Sequence, residues 1–167
     1  MNDVNVIKAL KNELEFSDSS INKLKEFHKY LLEHNKSYNF ISKNTEKNIW
    51  SRHILDSAQL VKFLDVKKDR VIADFGSGAG FPGLILAIQS KNKIFHVKLY
   101  EKSPVKRDFL RKIIDKLELE NLEVEGDIYK KEIVADVITC RAFKKLHEII
   151  RISREIVKKP HKIIILK

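Results

Sequence analysis

The stretch Val71–Gly83, VIADFGSGAGFPG, decides the fold. Its apolar beginning, Val71–Ala73, predicts a short buried strand that ends at Asp74. Three glycines follow at alternating positions, and Pro82 then opens an apolar stretch and suits the first turn of a helix. A strand, a glycine-rich turn and a helix in this order begin a nucleotide-binding βαβ unit, because such a turn lets a ligand approach the backbone with no Cβ in the way.

The spacing of the glycines separates two kinds of nucleotide site. Counted from Gly76 the pattern is G-x-G-x-G, and counted from Gly78 it also satisfies the dinucleotide fingerprint G-x-G-x-x-G through Gly83. The first pattern is favoured, because Asp74 lies two residues before Gly76, where S-adenosylmethionine sites usually carry an acid. We therefore assign Asp74, Gly76 and Gly78 to an S-adenosylmethionine site, with a nicotinamide dinucleotide site or a purely structural turn as alternatives. A P-loop is excluded, since no Gly-Lys-Ser/Thr follows.

Composition and charge narrow the class of protein and its partner. A chain of 167 residues is long enough for one domain with a substantial core. Its formal net charge of +10 predicts a polyanionic partner, RNA first, although a lysine-rich proteome would be an alternative explanation. Cys140 is the single cysteine, and the sequence has neither a signal segment nor a membrane-length apolar run. We therefore expect a cytoplasmic monomer that does not bind a membrane.

The first third of the chain has helical periodicity. Apolar residues at helical spacing predict helices over residues 2–16 and 21–32, followed by a turn-rich stretch at His34–Ser42. A third helix is predicted from Thr45, as its N-cap, to Leu64. We expect residues 1–66 to form a helical subdomain packed on a core formed by residues 67–167.

From Arg70 onward the predicted elements alternate between strands and helices. Beyond the glycine turn, strands are predicted at Ile94–Glu101, Leu122–Glu125, Asp136–Cys140 and His161–Lys167, the last as a buried strand, and helices at Pro82–Ser90, Lys106–Leu117 and Phe143–Val157. Alternation of this kind predicts an α/β fold with a mostly parallel sheet and helices on both faces. Ligands of such sheets bind beyond the carboxyl ends of the strands.

Three polar residues at or beyond predicted strand ends are candidates for cofactor contacts. Glu101 ends the strand after the glycine turn and could accept hydrogen bonds from ribose hydroxyls, or else pair with a nearby lysine. Asp127 could accept the exocyclic amine of adenine, or else cap its own turn. Arg141 directly follows a strand and could bind a carboxylate or a phosphate, although a plain surface arginine is the alternative.

Other kinds of site have little support in the sequence. Cys140 could be a methyltransferase nucleophile, but a buried structural thiol is the far commoner role for a lone cysteine at a strand end. The six histidines show no metal-ligand spacing, and no Cys/His cluster exists, so we expect no metal site. No serine occupies a G-x-S-x-G turn, which argues against a Ser-His-Asp hydrolase.

Five groups of residues occur along the chain in a set order: Asn35–Asn39, Arg52–Ser57, Gly76–Gly83, Lys106-Arg107 with Phe109–Arg111, and Arg141–Phe143. Together they resemble the glucose-inhibited division protein B family of 16S rRNA guanine-N7 methyltransferases, in family order. The resemblance spans Asn35 to Lys167, and the combination is specific where a glycine turn alone would not be. It implies a Rossmann-like class I methyltransferase fold with a helical N-terminal extension.

The resemblance also implies ligands and residue roles. S-adenosylmethionine is the implied methyl donor, and a guanine of the 16S rRNA, naked or in the small ribosomal subunit, is the implied acceptor. Gly76, Phe81 and Arg141 resemble cofactor contacts of the family, as does the backbone of Ile128 and Tyr129, although the family usually has a glutamate near there. We assign the candidate RNA contacts to Lys36, Asn39, Arg52, His53, Lys106 and Arg107.

The implied reaction needs no catalytic side chain. Guanine N7 has a lone pair and no proton, so attack on a methyl group requires alignment rather than a general base. One departure from the family concerns the end of the chain, since its members continue past the strand at His161–Lys167. We therefore expect the C-terminal strands of the sheet to be missing, which leaves a non-catalytic rRNA-binding remnant as an alternative, beside a nicotinamide-dependent oxidoreductase.

Overall fold

The computed structural model describes residues 3–65, 67–90, 95–130 and 132–166. Within them, five parallel strands form one sheet in the order β3-β2-β1-β4-β5. The strands are β1 Val71–Phe75, β2 His96–Tyr100, β3 Leu122–Glu125, β4 Val137–Arg141 and β5 Lys162–Leu166. The order reverses between β1 and β4, so the glycine turn after β1 lies where ligands of parallel sheets bind. The predicted α/β fold with a parallel sheet is confirmed.

Helices cover both faces of this sheet. They are α1 Asp3–Glu13, α2 Asp18–Tyr38, α3 Lys43–Glu46, α4 Asp56–Ala58, α5 Gly83–Gln89, α6 Pro104–Lys116 and α7 Leu146–Ile156, with a π-helical turn at Trp50–Leu55 and 3₁₀ turns at Gln59–Phe63 and Ile128–Lys130. One apolar core joins the N-terminal helices to α5, α6 and the sheet. A second core lies between the opposite face of the sheet and α7.

The N-terminal helices are joined to the α5 side of the sheet by specific contacts. The ring of Phe27 on α2 lies 5.4 Å from that of Phe81, which follows the glycine turn. Ser20 donates a hydrogen bond of 2.9 Å to the carbonyl of Ile88 at the end of α5. These contacts place the C-terminal half of α2 near the carboxyl edge of the sheet, where the glycine turn lies.

The prediction of a turn-rich stretch at His34–Ser42 was wrong, because α2 continues to Tyr38. Lys36 and Ser37 lie on the exposed side of the last helical turns, whereas Asn35 is buried. The helix ends at Asn39, which adopts the left-handed conformation with φ +49°. Asparagine tolerates this conformation better than most residues and often ends helices in this way.

The third predicted helix, Thr45–Leu64, is a series of short helical pieces, and Thr45 lies within α3 rather than at its N-cap. Arg141 explains part of the interruption. Its guanidinium donates a 2.6 Å hydrogen bond to the carbonyl of Arg52, while the backbone N–H of Asp56 donates to His53. The carbonyl that an α-helix would pair with Asp56 is therefore bonded by a distant side chain, which disturbs the helical ladder.

The strand at the end of the chain is less buried than predicted. Residues 163–166 of β5 are half-buried, because among the described strands β5 pairs with β4 alone. The predicted strand at Ile94–Glu101 is found as β2, with Ile94 outside the described residues, and Lys167 also lies outside them.

Candidate cofactor site

The glycine turn follows β1 in a conformation that favours glycine at each alternate position. Gly76, Gly78 and Gly80 all have positive φ, at +72°, +57° and +105°. The backbone N–H groups of Gly76 and Ser77 both donate to the carbonyl of Tyr100, at 2.8 and 3.1 Å. The turn is thereby attached to the carboxyl end of β2, which brings the two strand ends into one site.

Asp74 fixes the turn from inside the protein. Its carboxylate accepts hydrogen bonds of 3.0 Å from the Gly83 backbone and from the Thr139 hydroxyl, and it is fully buried. Burial raises the pKa of Asp74 to about 6, although these hydrogen bonds lower it in part. The strand continues through Asp74 to Phe75 instead of ending at the acid. Asp74 does not line the cavity described below, so its contacts support the turn.

Glu101 occupies the position predicted for a ribose contact. One carboxylate oxygen accepts from the Gly78 backbone at 3.0 Å, and the other accepts from the Ser103 backbone at 2.8 Å. A carboxylate offers about four lone-pair positions, so acceptor capacity remains for a ligand. Glu101 therefore connects the glycine turn to the start of α6 and lines the cavity between them.

A cavity of about 360 Å³ lies at this edge of the sheet, a size typical of small-molecule sites. Its lining comes from the ends of β1, β2, β3 and β4: Gly76, Tyr100, Glu101, Lys102, Lys106, Gly126, Asp127, Ile128, Tyr129, Ala142, Phe143 and Lys144. A cavity of about 690 Å³ lies elsewhere, between β5 and the segment 56–63. The smaller cavity is the candidate cofactor site, because it alone of the two is lined by the glycine turn.

The predicted adenine-side residues all line the cavity. Asp127 accepts a hydrogen bond from the Tyr129 backbone at 3.2 Å, so it caps its own turn and also faces the site. Ile128 is buried, whereas 57% of Tyr129 is exposed. Together these residues form an apolar and acidic wall opposite the glycine turn.

A comparison with models of known protein families identifies the family to which the chain belongs. The model of the GidB family, described as rRNA small subunit methyltransferase G, matches residues 20–167. The chain belongs to this family. The prediction made from the motif stretches is confirmed.

Curated relatives share most of the chain. The ribosomal RNA small subunit methyltransferase G of Rickettsia felis is 41% identical over 144 residues, which are 86% of this chain and 72% of the relative. The ribosomal RNA small subunit methyltransferase G 1 of Bdellovibrio bacteriovorus is 38% identical over 93% of this chain and 74% of its own length. By its family the chain is a methyltransferase, and the nicotinamide alternative has no support from these comparisons.

Solved structures support the fold independently. A MtNAS mutant solved in complex with S-adenosylmethionine superposes with a TM-score of 0.55. It covers 99% of this chain and 67% of its own, with 16% sequence identity. This likeness concerns the fold alone, which is the Rossmann-like methyltransferase fold expected for the family.

Three other predicted cofactor residues, Gly78, Phe81 and Arg141, also lie outside the cavity lining. Phe81 is buried, and its ring stacks on that of His53 with the centroids 4.9 Å apart. Arg141 donates to the Nδ1 atom of His53 at 3.0 Å and lies 4.0 Å from Asp56. Burial, and then the positive charge of Arg141, lower the pKa of His53 to about 4, so this imidazole is neutral near pH 7.

Cys140 lacks the properties of a nucleophile. It is completely buried in β4, between the sheet and α7. Burial raises the pKa of the thiol to about 12, which keeps it protonated at neutral pH. The structural role for Cys140 is therefore the better interpretation.

The six residues predicted to contact RNA have different surroundings. Lys36, Asn39 and Arg52 are exposed. Lys106 lines the cofactor cavity, whereas the Arg107 guanidinium donates to the carbonyls of Glu101 and Lys102. His53 is partly buried against Phe81. The side chains of Lys36, Asn39 and Arg52 are therefore accessible to a polyanion, whereas those of Arg107 and His53 already have partners within the protein.

Sequence reasoning missed several residues that line the cavity, among them Tyr100, Lys102, Ala142, Phe143 and Lys144. Phe143 packs so closely on Gly76 that a Cβ there would lie 2.5 Å from its ring. Three of them could have been found from their position in the sequence. Ala142, Phe143 and Lys144 directly follow β4 and therefore lie at the same edge of the sheet as the glycine turn.

The described part of the chain offers no sign of a metal site or a membrane span. No group of three or more His, Cys, Asp and Glu side chains within it could hold a metal ion. The helices within it are likewise too short or too polar to cross a bilayer.

Proposed function

We propose that this chain transfers a methyl group from S-adenosylmethionine to N7 of a guanine in the small-subunit rRNA. The observation that carries the proposal is the cavity beside the glycine turn, with the Glu101 carboxylate at its wall, in a member of the GidB family. Relatives named for methylation of the small-subunit rRNA support the choice of substrate.

The residues of the cavity suit an adenosyl group. Glu101 supplies an acceptor for ribose hydroxyls, and Asp127 supplies one for an exocyclic amine. Lys102, Lys106 and Lys144 place positive charge around the same cavity, which suits the carboxylate of an amino-acid moiety. S-adenosylmethionine, when bound, supplies an electrophilic methyl group on a positively charged sulfur.

The groups near the turn suit a reaction without a general base. Asp74 and Cys140 are both buried and do not line the cavity. His53 also lies outside the lining, and it is a weak base because its pKa is lowered to about 4 and its Nδ1 atom already accepts from Arg141. Guanine N7 needs no proton removed, so the contribution of the protein is to hold the methyl donor and the guanine in line. Alignment of this kind supplies roughly 7–11 kcal/mol of barrier reduction in favourable cases.

The net charge of the chain supports a nucleic-acid substrate. An excess of ten positive charges attracts RNA from solution and neutralises phosphates on contact. Exposed Lys36 and Arg52 are our candidates for phosphate contacts, together with Lys106 in the lining of the cavity. From an rRNA substrate we infer that the enzyme acts in the cytoplasm.

Calorimetric titration with S-adenosylhomocysteine tests the site. Glu101→Ala should weaken binding at least tenfold, because a charge-assisted hydrogen bond contributes roughly 1.5–3 kcal/mol. Glu101→Gln should retain part of the affinity, since the amide oxygen can still accept a hydrogen bond from a ribose hydroxyl or from Gly78. Glu26→Ala is the matched control, an exposed carboxylate on α2 outside the cavity.

A methyl-transfer assay on unmodified small-subunit RNA, with the product nucleotide mapped, tests the reaction. Label at guanine N7 is the expected result. Label at another atom would contradict the proposed acceptor, and RNA binding without transfer would favour the non-catalytic alternative. Binding of NADH in preference to S-adenosylhomocysteine would overturn the assignment of the cofactor.

A further inference from the structure

A row of aromatic rings lies on the other side of α6 from the cofactor cavity. Tyr30, His34 and Tyr38 follow one another at intervals of four residues along one face of α2. Phe109 of α6 packs against Tyr30 and His34, with ring centroids 5.4 and 5.7 Å apart. Phe40, just beyond α2, stacks on Tyr38 at 5.5 Å and contacts Phe109 at 4.5 Å. We call the space between these rings the aromatic cleft.

The backbone after α2 holds the outer rings in place. Asn39 reverses the chain in the left-handed conformation, which brings Phe40 back over Tyr38. The Asn35 side chain then both accepts from the Ile41 backbone N–H at 2.8 Å and donates to its carbonyl at 3.0 Å. The ring pair is therefore preorganised, so little side-chain freedom remains to be lost on binding.

The aromatic cleft is open and has charged groups at its wall. Its volume is about 370 Å³, and Tyr38 is 55% exposed. An ion pair of 2.8 Å between Asp108 and Lys112 lies in the lining, and it offers both an acceptor and a cation. Open aromatic faces beside cations are the features that bind unpaired bases of single-stranded nucleic acids.

We propose that the aromatic cleft binds an unpaired nucleobase of the RNA substrate, stacked on Tyr38. The N-terminal turn of α6 separates the two sites: Pro104 and Val105 line the aromatic cleft, whereas Lys106 lines the cofactor cavity. The bound base is therefore a second nucleotide of the substrate rather than the methylated guanine itself. This inference rests on the proposed function, and it adds a contact that selects unpaired over double-stranded RNA.

The charge of α6 favours RNA over an uncharged partner. The helix carries five basic residues and two acidic ones, with the basic residues at Lys106, Arg107, Arg111, Lys112 and Lys116. Of these basic residues Lys112 lines the aromatic cleft, within which the base would stack on Tyr38. The aromatic and basic groups would then bind the same nucleotide chain through different forces.

Fluorescence anisotropy with short oligo(A) RNA tests the proposal. Tyr38→Ala should weaken binding about tenfold, within the range that removal of one stacking ring produces. Tyr38→Phe keeps the ring and should bind like the unaltered protein. Phe63→Ala is the matched control, since Phe63 is 62% exposed and lies outside the aromatic cleft. The loss should persist at high salt, because stacking releases no counterions.

An abasic oligomer of the same length separates stacking from phosphate binding. Tyr38→Ala should leave its binding unchanged if the ring stacks on a base. An equal loss with the abasic oligomer, or wild-type affinity of Tyr38→Ala for oligo(A), would overturn the proposal. S-adenosylhomocysteine binding by the same variants tests the cofactor site separately, so failure of the aromatic cleft is distinguishable from failure of the proposed function.

Discussion

Asp74 and Gly83 show how the site depends on groups that no ligand reaches. Asp74 lies inside the protein and holds the Gly83 backbone at 3.0 Å, so β1 and the start of α5 are fastened together behind the glycine turn. Gly83 has no room for a larger residue, because a Cβ there would lie 2.4 Å from Leu99 and 2.9 Å from Asp74. The shape of the turn thus depends on buried contacts as much as on its own glycines.

The buried carboxylate gives a prediction at the residue scale. The pKa of Asp74 is raised to about 6 in the folded protein from an ordinary value of 3.8. Between these values the folded state holds a proton that the unfolded state has released, so the contribution of Asp74 to stability falls as pH rises. The free energy of unfolding should fall by about 2 kcal/mol relative to that of Asp74→Asn from pH 4 to pH 6. Urea unfolding of both proteins across this range measures it.

The comparison with Asp74→Asn is necessary because His53 also changes the pH dependence of stability in the unaltered protein. Its folded pKa is lowered to about 4 from 6.5, so its contribution to stability rises with pH over nearly the same range. The two slopes oppose each other in the unaltered protein. His53→Gln should therefore show the opposite trend to Asp74→Asn. A difference between wild type and Asp74→Asn that does not change with pH would contradict the prediction.

At the scale of elements, the segment from the end of α2 to α4 departs from regular helix for identifiable reasons. Asn39 ends α2 in the left-handed conformation, and Asn35 fastens the chain that follows. Farther on, the Arg141 guanidinium donates a hydrogen bond to the carbonyl of Arg52, which lies within the π-helical turn. Both features come from side-chain contacts that replace helical hydrogen bonds. They shape the N-terminal helices around the carboxyl edge of the sheet.

The helix end at Asn39 gives a prediction at the element scale. Asn39→Gly should leave the free energy of unfolding almost unchanged, since glycine adopts positive φ freely. Asn39→Val should lower it by about 1–2 kcal/mol, because a β-branched residue is strained in this conformation. Chemical denaturation measures both variants. Equal stability of the two would mean that the left-handed conformation does not limit this position.

The whole molecule combines one enzyme fold with a large excess of positive charge. The carboxyl ends of the strands and α6 build the cofactor cavity, while α2 and α6 together build most of the aromatic cleft. A single apolar core extends from the N-terminal helices to the sheet. Both sites are therefore supported by the same packing, and α6 is the element they share.

The charge gives a prediction at the scale of the whole molecule. If RNA binding neutralises about six phosphates, its affinity should fall roughly a thousandfold between 50 and 200 mM salt. Anisotropy measurements with small-subunit RNA across this range give the slope. Lys36→Glu and Arg52→Glu should each weaken binding and reduce the slope, because both residues are exposed cations. S-adenosylhomocysteine binding in the same buffers is the control. An RNA affinity that does not change with salt concentration would contradict the predicted electrostatic contribution.

The elements that could be predicted from sequence are those with a strong local pattern. The glycine turn, α6 and the strand at Leu122–Glu125 follow from residue type and periodicity, and all three are found. The interrupted helix after Thr45 could not be predicted, because part of its cause is the contact with Arg141, which lies 89 residues from Arg52 in sequence. The half-buried state of β5 likewise depends on which strands pair with it.

By itself the sequence determined the fold class, the position of the turn and the family, because these depend on local conformation and on motifs in a set order. Only the tertiary structure decided what each polar or aromatic side chain contacts. It placed Glu101 at the cavity wall, turned Arg141 and Phe81 toward His53, and assembled the aromatic cleft from two helices. These outcomes depend on contacts between residues distant in sequence, whose directions no local pattern contains.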